Sequence, residues 1–89
     1  MLTLKTTSLF RKDYKLMKKR GYKMDLLEEA LETLLREKPL EKKYRDHALV
    51  GNYTGFRECH ILPDWLLIYQ VNSGKLLLVT SRTGTHSHG

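Results

Sequence analysis

At 89 residues the chain has material for one modest hydrophobic core and a single domain over 1–89, which excludes separate functions in separate domains. Its 40% hydrophobic and 9% aromatic content is that of a globular protein rather than a disordered one, and no run of about 18 apolar residues occurs that could span a membrane. Sixteen Lys and Arg against ten Asp and Glu leave a formal charge of +6, a field that draws polyanions toward the surface.

The basic excess is uneven. Residues 1–46 carry thirteen basic and eight acidic side chains, whereas residues 47–89 carry three and two. Leu2 to Thr6 alternates and reads as an opening strand. Ser8 is placed to cap a helix whose apolar positions Phe10, Tyr14 and Met17 share one face, and Gly21 is placed to end it. From the strand through this helix Lys5, Arg11, Lys12, Lys15, Lys18, Lys19, Arg20 and Lys23 face one acid, Asp13, so the basic side is either a solvated face or a nucleic-acid contact surface. Asp25 and Glu28 have the spacing of a capping box, and Leu27, Ala30, Leu31, Leu34 and Leu35 form the stripe of a second helix that Pro39 should stop.

From Leu40 to Gly55 the periodicity is lost, and a connecting loop of this length is usually functional. From Phe56 onward the period is two: Phe56 to Leu62, a turn at Pro63-Asp64, Trp65 to Val71, a turn at Asn72-Ser73-Gly74, then Lys75 to Arg82. The expected fold is therefore α+β, a small twisted antiparallel sheet made of the N-terminal strand and a three-stranded meander, packed against two helices. The lone Cys59 cannot form an internal disulfide, and the opening residues do not have the long apolar stretch of a secretory leader. A reducing, cytoplasmic location is expected.

All four histidines, His47, His60, His86 and His88, fall outside the helical segments. The meander would place His60 near a strand end, Asp64 just past the following turn, and Arg82 and His86 at the end of the last strand, with His47 arriving on the long loop. Imidazoles exchange protons near neutral pH and an arginine neutralises charge growing on a phosphate, which is what RNA needs because it carries its own 2′-hydroxyl nucleophile. Each residue also has a plain structural reading: His60 as a sheet-edge histidine, Asp64 as an ordinary turn residue, Arg82 as a strand-end charge, Trp65 as core. His86-Ser87-His88 could equally be a tail that picks up stray metal. Cys59, His60 and Asp64 do not have the spacing of a zinc site, so neither metal nor cofactor is expected.

The runs Asp46-His47-Ala48-Leu49, Gly51-Asn52-Tyr53, Phe56 to Tyr69 with His60 four before Asp64, and Arg82-Thr83-Gly84-Thr85-His86 together resemble the YafQ branch of the RelE toxin superfamily. The resemblance covers nearly the whole chain, including Lys38-Pro39-Leu40. It implies a RelE-like fold and a ribosome-dependent messenger-RNA endonuclease that needs no metal, silenced in a hetero-oligomer by a cognate antitoxin. It also implies a catalytic set of His47, His60, Asp64 and His86, a phosphate-contacting Arg82, and Trp65 lining the site, with a 2′,3′-cyclic phosphate as product. Lys15, Lys18 and Lys19 are the accompanying candidates for RNA contact. The chain departs from the family after His88, where relatives continue to an apolar residue and a phenylalanine, and His88 is not counted as catalytic. The alternative is a non-catalytic module of the same fold that binds RNA, DNA or protein. Charge complementarity further predicts an antitoxin with an acidic segment covering the histidines.

Overall fold

The computed structural model describes residues 1–83. Strand β1 (Thr3–Thr6) leads directly into helix α1 (Ser8–Lys19), followed by α2 (Met24–Leu35), the two-residue strand β2 (His47–Ala48), and the meander β3 (Arg57–Leu62), β4 (Trp65–Asn72) and β5 (Lys75–Thr83). The cap of α1 is Thr7 rather than Ser8. Thr7 stays tied to the sheet, its N–H donating to the Leu78 carbonyl at 3.1 Å and its hydroxyl to that of Val79 at 2.6 Å, while the same Oγ1 accepts from Phe10 N at 2.9 Å. One side chain therefore closes the strand and opens the helix. At the other end Gly21 (φ 83°) turns the chain, with Tyr22 N donating to Met17 O and Gly21 N to Lys18 O, both at 3.1 Å.

Helix α2 begins one residue before Asp25, so the expected capping box does not form; Asp25 lies inside the first turn, where its charge meets the positive helix end. The helix stops at Leu35, four residues short of Pro39, because Glu37 (φ 59°) takes the left-handed conformation and Lys38 N donates back to Thr33 O at 3.1 Å. The hairpin between β4 and β5 turns on Ser73 and Gly74, both at positive φ (51° and 75°), the geometry that matches strand twist in a two-residue loop.

The strands form one sheet in the order β1-β5-β4-β3-β2. The α+β arrangement and the meander are as expected, with one difference: β1 runs parallel to β5, Thr3 beside Lys75 and Thr6 beside Leu78, so the sheet is mixed. The two helices carry the chain from β1 across to β2, which runs opposite to β1, and the three antiparallel steps from β2 through β3 and β4 bring β5 back parallel to it. The irregular segment also contributes β2, where His47 faces Glu58 and Ala48 faces Arg57. Two residues are too few to leave a periodic signal.

One face of the sheet is covered. Cys59, Trp65, Leu67, Tyr69, Leu76 and Leu78 are essentially fully buried against Phe10, Met17, Leu27, Ala30 and Leu34 of the helices. Trp65 is the largest of them, 0% exposed, its indole N–H donating to Ser81 Oγ at 2.9 Å and its ring meeting Tyr22 edge to face at 5.3 Å. The other face carries Glu58, His60, Leu66 and Ile68, all partly exposed.

A bulge decides which way the end of β5 points. Ile68 faces Thr80 but Tyr69 faces Leu78, so Val79 is an extra residue and the alternation along β5 reverses at it. Leu76 and Leu78 are in the core, yet Arg82, an even number of residues further on, lies opposite Leu66 on the bare face.

Candidate active site

Two cross-strand rows build the bare face. In one, His60 of β3 faces Leu66 of β4, which faces Arg82 of β5. In the next, His47 of β2 faces Glu58, which faces Ile68 and then Thr80. Directly opposed residues share a face, so both imidazoles, a carboxylate and a guanidinium rise from one surface with Leu66 and Ile68 as its apolar floor. The two imidazole centroids are 6.4 Å apart, too far for a mutual hydrogen bond and close enough for both to reach one phosphate group.

The histidines are oriented differently. His60 Nδ1 lies 3.2 Å from the Pro63 carbonyl, which can only accept, so Nδ1 is the donor there and Nε2 is the nitrogen left to meet a substrate. His47 has acceptors at both nitrogens, the Arg45 carbonyl 2.8 Å from Nδ1 and Glu58 Oε1 3.2 Å from Nε2; a protonated ring donates to both. One nitrogen of His60 is thus held by the backbone, whereas both nitrogens of His47 face acceptors.

The loop carrying His47 is held by its neighbour. Asp46 accepts from the Tyr69 hydroxyl at 2.5 Å and from the Arg57 guanidinium at 3.0 and 3.3 Å. Burial, then the Asp46 carboxylate, raise the Tyr69 phenol above its ordinary range, and the hydrogen bond to Asp46 is the main cause raising Arg57. Tyr69 is a core residue, so this cluster ties the loop to the interior. Arg45, just before it, holds a left-handed backbone (φ 50°), a conformation few side chains adopt unless their surroundings fix it. Cys59 sits between Glu58 and His60 in sequence but faces the core, where burial pushes its thiol up to about 12; it stays protonated at neutral pH and is no nucleophile.

Of the residues expected at the site, His47, His60 and Arg82 share the bare face. Asp64 is exposed in the turn after His60, next to the carbonyl that orients that ring. His86 and His88 lie outside the described residues. Trp65 is corrected: the resemblance places it at the site, but Trp65, Leu67 and Tyr69 occupy the core side of β4, and a residue with no exposed surface cannot line an RNA cleft. Lys15, Lys18 and Lys19 are exposed on α1, with Lys15 lining a separate groove beside Tyr14, Glu28 and Leu31. Arg20, which the sequence offers only as one member of the basic helix face, lines a cleft together with Arg82, Leu16 and Asp13. The signal for that placement was the spacing of Leu9, Asp13, Leu16 and Arg20, one helical stripe facing the end of β5. Sequence reasoning missed Glu58, the partner of His47, because a charged residue alternating with Cys59 reads as solvated. Beside the histidine rows opens a groove of about 380 Å³ lined by Leu49, Tyr53, Glu58, Leu66, Ile68 and Arg82 among others.

The fold that carries this site is that of bacterial toxins of type II toxin–antitoxin systems. Residues 2–88 match the family model described as "Bacterial toxin of type II toxin-antitoxin system, YafQ". The chain is 40% identical over 79 residues to the mRNA interferase toxin YafQ of Escherichia coli K12, covering 88% of this chain and 84% of that one. It superposes with a TM-score of 0.90 on a copper-bound L66S mutant toxin from Helicobacter pylori, at 39% identity over 99% of this chain and 98% of the other. On the toxin of the E. coli DinJ-YafQ complex the TM-score is 0.88, at 31% identity with all of both chains covered. The chain belongs to the YafQ toxin family.

Proposed function

We propose that this protein is an mRNA interferase toxin, an endoribonuclease that arrests translation and is held silent by a cognate antitoxin. The observation that carries the reading is the pair of differently oriented imidazoles, His47 and His60, 6.4 Å apart on the same bare face as Arg82. His60 Nε2 takes the proton of the 2′-hydroxyl as its oxygen attacks phosphorus. The new O2′–P bond forms, the P–O5′ bond breaks, and His47 hands a proton to the departing 5′-oxygen. The products are a 2′,3′-cyclic phosphate and a 5′-hydroxyl. Arg82 balances the charge that accumulates on the phosphoryl oxygens, and Glu58 holds His47 in place. Asp64 and His86 complete the catalytic set on the family pattern, with His86 a second donor or acceptor of protons at the scissile group. Nothing beyond proton transfer and charge neutralisation is required, so the reaction needs no cofactor.

The exposed Lys18 and Lys19, with Arg20 beside Arg82, provide the sequence-independent grip on a phosphate backbone, and the translating ribosome in the cytoplasm supplies the message. The antitoxin covers the bare face with an acidic segment and forms a hetero-oligomer with the toxin. The test is to express the protein and its His60→Ala and His47→Ala variants, map cleaved ends on a translated message, and follow growth. Cleavage and arrest that survive both substitutions overturn the mechanism; binding to RNA without any cleaved product in the unaltered protein favours a non-catalytic module instead.

A further inference from the structure

We infer that the groove beside the histidines is a nucleobase subsite, in which Tyr53 supplies the stacking surface and Glu58 selects bases that present an exocyclic amino group. The inference rests on the endoribonuclease reading and extends it from the phosphate to the base beside it.

The groove's volume of about 380 Å³ lies in the range of small-ligand clefts, and it shares Arg82 with the histidine row, so a nucleotide whose phosphate meets Arg82 has its base over Leu66 and Ile68. Its walls come from Leu9 at the start of α1 and from the segment after β2. There a 3-10 turn, Gly51–Tyr53, is closed by Tyr53 N donating to Val50 O at 3.3 Å and is pinned to the sheet by Leu49 N donating to Phe56 O at 2.9 Å. The turn presents a tyrosine that is 59% exposed, an unusual position for a large aromatic with no structural task. A flat aromatic beside a groove that holds an arginine for the phosphate gives single-stranded RNA a surface on which to stack a base without regard to its identity.

Identity is read by Glu58. Its Oε1 is engaged by His47 and the residue lines the groove, so the second carboxylate oxygen is the acceptor assigned to the base. An ionised carboxylate only accepts hydrogen bonds. Adenine, cytosine and guanine each offer an exocyclic amino donor, whereas both exocyclic groups of uracil are acceptors that flank its one base donor, N3–H, and turn their partial negative charge toward an approaching carboxylate. A site that must hydrogen-bond its ligand rejects the analogue without the donor more strongly than an apolar pocket does.

The experiment titrates AMP, GMP, CMP and UMP into the full chain and follows the Tyr53 ring and the Leu66 and Ile68 methyl signals by NMR. All four carry the same phosphate, so differences among them isolate the base. The expected result is shifts centred on the groove, with the three amino-bearing nucleotides binding at least about fivefold more tightly than UMP. Glu58→Gln, which can donate as well as accept, should level that difference. Tyr53→Ala should weaken all four by about tenfold while Tyr53→Phe retains binding. Equal affinity for UMP and AMP, shifts that fall elsewhere, no detectable binding, or an unchanged Tyr53→Ala variant each overturn the inference. Message cleavage by the unaltered protein is measured in parallel: its absence refutes the endoribonuclease reading, whereas cleavage without discrimination in the titration refutes the base subsite alone.

Discussion

The two faces of the sheet are made from the same three strands, and they use them for opposite purposes. Along β3 and β4, Cys59, Ile61, Trp65, Leu67 and Tyr69 point to the helices and are buried, while Glu58, His60, Leu66 and Ile68 alternate with them on the side the helices leave bare. The core face is apolar, and its few polar groups, such as the Trp65 indole and the Tyr69 hydroxyl, have partners within hydrogen-bonding distance. The bare face holds the ionisable groups at orientations that packing alone would not require. A period of two thus lets a chain too short for a separate catalytic unit carry stability and chemistry on one set of strands.

Substitutions on the two faces should separate cleanly. His60→Ala removes a proton acceptor from the exposed side, and cleavage should fall by about 10²- to 10⁴-fold while the denaturant midpoint moves little. If thermal or chemical denaturation shows instead that His60→Ala unfolds the protein, the residue belongs to the fold and not to catalysis. Trp65→Ala is the converse: a fully buried indole is lost, and equilibrium unfolding should show a cost of about 3–5 kcal/mol, with any loss of activity following the folded fraction. A folded Trp65→Ala variant with impaired cleavage at full occupancy of the native state would return Trp65 to the site.

Asp46→Ala should blur the comparison, because Asp46 joins a core hydroxyl to the loop that holds His47. Leaving Tyr69 and Arg57 without their acceptor should cost about 1–3 kcal/mol in a denaturant titration, and cleavage should fall as well since His47 loses its anchor. An effect on stability with cleavage intact would show that the anchor is not needed for positioning. Cys59 sharpens the contrast from the chemical side. With its thiol pushed up to about 12 and buried, alkylation at neutral pH should proceed only as fast as the protein opens, and rapid labelling of the native protein would contradict the orientation of β3. The smallest effect is expected far from both faces, at the left-handed Glu37 that ends α2. Glu37→Gly should raise stability by about 0.5–1 kcal/mol, read as a higher melting temperature, and leave cleavage unchanged.

The local signals translated well where one residue type settles the matter. Gly21 ends α1, the alternation from Arg57 onward yields the meander, and Ser73-Gly74 closes its second hairpin with the turn such a pair allows. Local reasoning was off by a residue at Thr7 and by several at the end of α2, because each depended on a hydrogen bond to a distant or unlikely partner: Thr7 to Val79 across the sheet, Lys38 back to Thr33 past a left-handed glutamate. The site was legible as a list of histidines and an arginine. It was not legible as a surface, and Trp65 shows why: the strand's own alternation put it in the core, while the pattern of relatives put it at the cleft.

By itself the sequence determined that this is a basic α+β chain with helices first and a meander last, because those properties follow from composition, spacing and turn residues that act over a few positions. Only the tertiary structure decided that β1 runs parallel to β5, that a two-residue strand brings His47 beside Glu58, and that the extra residue Val79 turns Arg82 out of the core toward His60. Each of these depends on pairing between segments far apart in the chain, where register is set by the fit of whole strands and one inserted residue reverses every side chain beyond it.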